Sequence, residues 1–175
     1  SFSADGSVVA VASFGRQVQV IDLDSSKRPR AISIERSRVT ATAPTPDGKQ
    51  LVIAAADGTL SLVDLNQPSS RRALANHPFA VWTMKFDQTG RFAAGSWDGT
   101  VRLWDTSSWE LIQSVKAHQE SVCAILLGTQ GMLTAGMDGR VFYLPSELPS
   151  KSPRGLIRGP NDPVWITTFS PDGEQ

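Results

Sequence analysis

A unit of about 42 residues recurs along the whole chain, and this period constrains the fold more than any other feature of the sequence. A turn that closes on glycine recurs at Gly6, Gly48, Gly90, Gly131 and Gly173. Successive turns are 42, 42, 41 and 42 residues apart. An alternating apolar and polar run, clearest at residues 101–105, keeps the same period. A fixed period of this length indicates a repeat architecture, in which most recurrent residues are structural parts.

The third repeat shows the elements of one unit most clearly. Four short strand-like runs follow one another at residues 81–86, 91–96, 100–104 and 110–115. The Asp98-Gly99 pair between the second and third runs is typical of a tight hairpin turn. No segment shows apolar residues at helical spacing over the length of a helix. The sequence therefore predicts an all-β chain with four antiparallel strands in each unit.

A single four-stranded sheet has two apolar faces and cannot bury both alone, so consecutive sheets are expected to stack face to face. Sheets arranged in this way about an axis form a β-propeller. The whole chain, residues 1–175, is thus predicted to be one propeller segment. Its approximate repeat units are 1–36, 37–78, 79–119, 120–161 and the partial unit 162–175.

The third unit also carries a motif that resembles a known family. Residues 77–105 contain a His before the first strand, a Gly turn, the run Gly-Ser-Trp-Asp-Gly-Thr and then Val-Arg-Leu-Trp-Asp. This pattern resembles a WD40 repeat. Residues 118–144 are similar to a weaker copy, and residues 164–173 are similar to the start of another. The resemblance implies a propeller, and it leaves the function open because this fold carries many unrelated roles.

The resemblance also implies a hydrogen-bonded network of a His, a Ser or Thr, an Asp and a Trp within a repeat. The matching positions of the third unit are His77, Ala94, Asp98 and Trp104. Those of the fourth unit are His118, Thr134, Asp138 and Leu144, and those of the second are Glu35, Ile53, Asp57 and Val63. No unit keeps all four groups. We expect His77 to lie near Asp98 and His118 near Asp138.

Two arrangements of the units are open. The partial fifth unit offers a first strand at residues 164–169, which could complete the first unit and close a four-bladed ring. The favoured alternative is an arc of four blades from a larger ring of seven or eight, as the resemblance implies. The chain begins without Met in the middle of a repeat and ends at nearly the same phase. We therefore expect it to be a segment of a longer protein.

Charge and cysteine content bound the function further. Lys plus Arg equals Asp plus Glu, which speaks against a general nucleic-acid or membrane-surface binder with a basic excess. The single Cys123 excludes an intrachain disulfide framework and suits a reducing compartment. No apolar stretch reaches the roughly 18 residues of a membrane helix. These features predict a cytoplasmic protein, with the nucleus as the alternative, and no membrane insertion.

Candidate catalytic groups are sparse. The residue types of a hydrolase triad are present as His77, Ser96 and Asp98. The repeat motif already accounts for the His and the Asp. No cluster of His, Cys and acidic residues has the spacing of metal ligands, and no glycine-rich phosphate loop is present. We therefore predict a protein that is not an enzyme and that needs no cofactor or metal. The alternative is a propeller enzyme whose site at the channel mouth is completed by other blades.

Basic residues form three local groups in the predicted connections between third and fourth strands. They are Lys27, Arg28 and Arg30, then Arg71 and Arg72, then Lys151 and Arg154. A shared basic rim would bind nucleic acid or an anionic lipid. The simpler interpretation is that outer strands carry Lys and Arg to block edge pairing, and acidic residues such as Asp64 lie nearby.

The opposite face holds the predicted partner-binding residues. Connections that enter the first strands and turns between the second and third strands share this side. Aromatic residues, Met and Arg are the types enriched in binding hot spots. The residues assigned to this face are Arg36, Arg38, Phe79, Trp82, Trp97, Met137 and Trp165. The competing interpretations are packing beside the central channel for Trp82 and Trp165, and packing on an adjacent loop for Trp97.

These inferences lead to a non-catalytic protein-interaction scaffold. A rigid propeller would present the loop face to peptide or protein partners. If binding weakened steeply with added salt, the alternative function, binding of nucleic acid or anionic lipid through the basic rim, would be favoured instead.

Overall fold

The computed structural model describes residues 1–145 except 14, 26–27, 35–36 and 75, together with the backbone of residues 154–158. Every regular element in this part of the chain is a β-strand. The strands are β1 (Val8–Ala12), β2 (Gln17–Asp22), β3 (Arg30–Ser33), β4 (Val39–Pro44), β5 (Gln50–Ala55), β6 (Leu60–Asp64), β7 (Arg71–Ala73), β8 (Val81–Phe86), β9 (Arg91–Ser96), β10 (Thr100–Asp105), β11 (Leu111–Lys116), β12 (Val122–Gly128), β13 (Gly131–Gly136), β14 (Arg140–Pro145) and β15 (Arg154–Arg158). The prediction of an all-β chain is confirmed for the described residues.

The strands form four sheets in which sequence neighbours are hydrogen-bonded neighbours. The first sheet has three strands in the order β1-β2-β3, and the other three each have four. Their orders are β4-β5-β6-β7, β11-β10-β9-β8 and β12-β13-β14-β15. The registers of the sheets are antiparallel, as in Val101 opposite Gly95 and Ala135 opposite Val141. This is the meander that the hairpin turns of the sequence predict.

The chain divides into two compact units, Ser1–Phe86 and Asp87–Gln175. In the first unit, apolar side chains of the first two sheets form one buried cluster that includes Val18, Val20 and Leu51. In the second unit, Leu103, Ile125 and other side chains form a corresponding cluster. Burying each such side chain contributes about 1.5–3 kcal/mol. The predicted face-to-face burial of consecutive sheets is therefore seen within each unit.

In the three four-stranded sheets, the second strand in chain order is the most buried of the strands whose burial is described, and its composition explains why. In β5 and β9, every residue after the first is buried, so both faces of the strand are covered. A strand that is covered on both faces reads as a continuous apolar or small run rather than an alternating one. The outer strand β11 shows the opposite pattern, because none of its residues is fully buried.

Glycines with positive φ close most of the hairpins. Gly58 and Gly99 have φ of 85° and 81°, in the left-handed region that glycine enters without steric cost. Gly131 differs from the expected turn, because it begins β13 and lies opposite both Gly128 and Pro145. The first strands β4, β8 and β12 begin at residues 39, 81 and 122, so the shorter spacing of 41 residues arises before β12 and not in this turn.

Candidate protein-interaction site

Trp97 and Met137 belong to the second unit, and each precedes an Asp-Gly turn. The hydroxyl group of Ser121 donates a hydrogen bond to the carbonyl oxygen of Trp97 at 3.3 Å. The amide N–H of Met137 donates to the carbonyl oxygen of Ser121 at 2.9 Å. Ser121 therefore joins the two positions, which lie at the same edge of the unit. We call Trp97, Ser121 and Met137 the Trp97 edge.

The side chains of the Trp97 edge differ in exposure. The indole of Trp97 is 58% exposed, Met137 is partly buried, and Ser121 is buried. The prediction that Trp97 and Met137 lie on one face with at least partial exposure is confirmed. Their role in binding a partner stays a prediction.

The turn after Trp97 is rigid for reasons that lie in its own sequence. The Asp98 carboxylate accepts the amide N–H of Thr100 at 2.9 Å, which closes the turn. Gly99 packs so closely on the chain entering β12 that a Cβ atom would lie 2.6 Å from the carbonyl oxygen of Glu120. A turn held at this point fixes the backbone from which Trp97 projects.

The remaining predicted residues that the structure describes lie in the first unit. Arg38 is exposed, and its carbonyl oxygen accepts the amide N–H of Ala56 at 2.8 Å. Ala56 occupies the same position in its repeat as Trp97 and Met137 do in theirs. The bond between Ala56 and Arg38 therefore corresponds to the bond between Met137 and Ser121, but Ala56 has no large side chain. Phe79 and Trp82 are exposed, at 56% and 41%.

Two predicted residues, Arg36 and Trp165, lie outside the described residues. Ser121 was not predicted. A closer alignment of the repeats would have found Ser121, because it occupies in the fourth repeat the position that Arg38 occupies in the second repeat.

In the fourth repeat, three of the four groups of the polar network are present and hydrogen-bonded to one another. His118 Nδ1 lies 2.9 Å from an Asp138 carboxylate oxygen, and Nε2 lies 3.0 Å from the Thr134 hydroxyl. An ionised carboxylate only accepts hydrogen bonds, so Nδ1 carries a proton. The ring of Phe142 packs against the imidazole at 5.0 Å between centroids. The predicted His118–Asp138 pair is confirmed. His77 and Asp98 fall on either side of the boundary between the compact units Ser1–Phe86 and Asp87–Gln175, and their pairing stays a prediction.

The environment of Asp138 shifts its acidity. Burial raises the pKa of Asp138, but hydrogen bonds from His118 and from the Gln119 and Arg140 amides outweigh it and hold the pKa below its ordinary value. A lowered pKa in the folded state means that this carboxylate stabilises the fold above the unfolded pKa of about 3.9. The contribution is lost as the pH falls through the lower pKa of the folded state.

Substitution of His118 by alanine is expected to lower the free energy of unfolding by about 1–3 kcal/mol, because it leaves a buried carboxylate with fewer donors. Thermal melting of the variant measures the effect. Gln119→Ala is the matched control, because the bond from residue 119 to Asp138 comes from the backbone N–H. Equal melting temperatures for His118→Ala and Gln119→Ala would contradict a structural role for the imidazole.

The residues of the polar network and Ser96 are too deeply buried to act on a substrate. The Thr134, His118 and Asp138 chain has the connectivity of a catalytic triad. Thr134 and Ser96 are completely buried and His118 nearly so, which leaves no path for a substrate to either hydroxyl group. Ala94 and Leu144 replace the polar partners of the network with buried apolar groups. The network therefore has a structural role.

Cys123 has the features of an unreactive thiol. Burial raises the pKa of Cys123, and the nearby charge of Asp138 raises it further. A raised pKa lowers the fraction of nucleophilic thiolate at neutral pH. Within the described residues, no group of three His, Cys, Asp or Glu side chains could hold a metal ion, and no helix could span a bilayer.

The basic groups are partly engaged in structure. The Arg30 guanidinium donates to the carbonyl oxygen of Leu65, and the Arg71 guanidinium donates to that of Ser33 at 2.7 Å. These bonds tie the outer edges of the first two sheets to each other. Arg30 and Arg71 also lie in β3 and β7, not in the preceding connections as predicted. Lys27 and Lys151 lie outside the described residues.

Comparison with known proteins identifies the family. The sequence model described as WD domain, G-beta repeat matches residues 68–105, the unit with the clearest motif. A Drosophila ananassae relative, "WD repeat-containing protein 55 homolog", is 23% identical over 161 residues, which cover 84% of this chain and 34% of the relative. The chain belongs to the WD40-repeat family.

Two further curated relatives carry other descriptions. "p21-activated protein kinase-interacting protein 1-like" from Gallus gallus is 25% identical over 129 residues, 74% of this chain and 35% of the relative. "U3 small nucleolar RNA-associated protein 15" from Schizosaccharomyces pombe is 28% identical over 123 residues, 69% of this chain and 25% of the relative. The WD40 chain thus spans about a quarter to a third of the length of these relatives.

A solved structure agrees with the fold. A chain in the "Crystal Structure of Mitotic Checkpoint Complex" matches with a TM-score of 0.84 at 22% identity. The match covers 98% of this WD40 chain and 52% of that chain. The β-propeller fold is confirmed, and the number of blades in a closed ring stays a prediction.

Proposed function

We propose that this WD40 protein is a non-catalytic scaffold that uses the Trp97 edge to bind a peptide or protein partner. WD40-repeat proteins are generally protein-interaction scaffolds, and the fold by itself supports no more than that. The observation that carries the finer proposal is the exposed side chain of Trp97, whose backbone is linked through Ser121 to the backbone of Met137.

The physical argument concerns exposed apolar area on a rigid support. Large apolar side chains that share an exposed edge mark interaction surfaces more often than isolated ones do. Trp is the residue type most enriched among binding hot spots, and Met adapts its shape to a partner. The backbone under Trp97 is held by the Asp98-Gly99 turn, so binding would order little besides side chains.

Arg38, Phe79 and Trp82 extend the proposal to the first unit, where each is exposed. Arg36 and Trp165 stay in the proposal on their sequence positions alone. The relative described as interacting with a protein kinase supports a protein as the class of partner. The relative described as nucleolar supports the nucleus as a second compartment besides the cytoplasm.

Substitution of Trp97 by alanine is expected to weaken partner binding by about 2 kcal/mol or more, roughly thirtyfold, if this side chain is a central anchor. Folding should be nearly unchanged, because more than half of the indole is already exposed. The measurement is quantitative affinity capture with the whole protein as bait, followed by titration of each captured partner against wild type and variant. Thermal melting of the same samples reports on folding.

Leu111→Ala is the matched control, since Leu111 is an exposed apolar side chain of the outer strand β11. Partners of the Trp97 edge should be lost by Trp97→Ala and kept by Leu111→Ala. Unchanged binding of every partner by Trp97→Ala, together with a large drop in melting temperature, would make Trp97 an ordinary packing residue.

A further inference from the structure

A cavity of about 520 Å³ opens on the side of the first unit. One wall contains Ile34 and Ser37, which lie between β3 and β4 in the chain. The other is the face of β6 and β7, with Ser61, Arg71 and Ala73. Ligand sites in proteins typically measure about 300–1,000 Å³, so the cavity is large enough to hold part of a ligand.

Most residues that line this cavity are polar, and Arg71 is the one cation among them. Hydroxyl groups come from Ser37, Thr59 and Ser61. The Arg71 guanidinium donates one hydrogen bond to the Ser33 carbonyl oxygen at 2.7 Å. A guanidinium has five N–H donors in a rigid plane, so this bond orients the group and leaves it suited to a carboxylate.

The acid in the lining lies at the opposite end. Asp57 already accepts hydrogen bonds from the Thr59 amide at 3.1 Å and hydroxyl at 2.7 Å. Arg71 is in register with Val63, three residues beyond the start of β6 at Leu60. Three residues of strand span about 10 Å, close to one screening length at physiological salt. A ligand anion is therefore favoured at the Arg71 end and disfavoured at the Asp57 end.

The strand beside the cavity offers a backbone edge as well. The amide of Leu74 donates to Leu60 and that of Asp64 donates to Ser70, which makes these the hydrogen-bonded pairs of β6 and β7. Hydrogen-bonded pairs alternate along antiparallel strands. The N–H and C=O groups of Arg71 and Ala73 consequently point away from β6, where an extended peptide can pair with them.

We propose that this cavity is a second binding site, which takes a short extended peptide segment with an Asp or Glu side chain on Arg71. The charge of the first unit agrees with an acidic ligand, because residues 1–86 contain ten Lys and Arg against seven Asp and Glu. The site is independent of the Trp97 edge and of the function proposed for it.

The test pans phage-displayed random heptapeptides on the whole protein and titrates the enriched peptides, made synthetically with a fluorescent label. Peptides that bind here should contain Asp or Glu. Arg71→Glu should weaken them by about tenfold or more and should enrich Lys- or Arg-containing peptides when panned itself. Arg72→Glu is the matched control, because successive side chains of a strand point to opposite faces and both variants change the net charge equally. It should change affinity by about twofold or less.

Panning that enriches no acidic peptide would overturn this site. So would acidic peptides whose affinity falls equally in Arg71→Glu and Arg72→Glu, or whose affinity falls in Trp97→Ala. Ala73→Phe is a second test of the site, which remains informative if Arg71→Glu fails to fold. The phenyl ring occupies part of the cavity beside Arg71 and the variant keeps both arginines, so it should weaken binding strongly, and unchanged binding would equally reject the site.

Discussion

Replacement of Gly99 by alanine is expected to destabilise the protein by about 3–5 kcal/mol, a large effect for the addition of a single methyl group. Gly99 has a φ of 81°, which an L-residue adopts only with strain. A Cβ atom would also approach the carbonyl oxygens of His118 and Glu120, the latter at 2.6 Å. Those oxygens are backbone atoms that cannot rotate away, so the chain entering β12 would have to move.

Gly90→Ala separates backbone strain from steric conflict. Gly90 has a φ of 84°, but its nearest atom to an added Cβ is the Thr106 hydroxyl oxygen at 3.5 Å, an ordinary contact. Its substitution should cost only the strain of the left-handed conformation, about 1–2 kcal/mol. Urea denaturation of the two variants measures both values. Equal costs at the two positions would show that the close contact at Gly99 relaxes freely.

Substitution of Phe92 by alanine should lower the free energy of unfolding by about 3–5 kcal/mol, through lost burial and an unfilled cavity. Phe92 is completely buried in β9, with ring centroids 5.4 Å from Trp104 and 5.8 Å from Trp109. Trp109 has a φ of 57°, unusual for a bulky residue, and this conformation accompanies the packing of its ring on Phe92. Loss of the central ring therefore removes support from both indoles.

Phe79→Ala is the control for the same chemical change at an exposed site. Phe79 is 56% exposed, so its truncation should cost about 1 kcal/mol or less. Chemical denaturation, with the fluorescence of the indoles as a second probe, measures both variants. A cost for Phe92→Ala close to that for Phe79→Ala would mean that the aromatic cluster is not the core of this repeat.

The sequence predicted the candidate site in part. Trp97 and Met137 were identified from their shared place before an Asp-Gly turn, and their exposure follows from that place. Ser121, which joins them, gives no comparable signal, because a serine near the start of a strand is common in any β protein. The sequence also shows that Ala56 and Trp97 differ at equivalent positions, because both precede an Asp-Gly turn when the repeats are aligned.

The side cavity and the arginine contacts were not predicted. Arg30 and Arg71 resembled solvent-exposed charges of an outer rim, and their guanidinium groups instead reach carbonyl oxygens of the neighbouring sheet. Which carbonyl lies within reach depends on how two sheets pack, and the residues concerned are 35 and 38 positions apart in the chain. No pattern within one repeat encodes that distance.

The sequence alone determined the period, the strands and the Asp-Gly hairpins, and its resemblance to WD40 repeats implied the pairing of His118 with Asp138. Each of these depends on residues within a single repeat, where turn chemistry and alternation act locally. Tertiary structure alone decided that Ser121 connects Trp97 with Met137 and that Gly99 lies against the chain entering β12. It also decided that Arg71 lines a cavity. Such contacts arise between neighbouring sheets, and their geometry is fixed by the close packing of side chains from separate repeats.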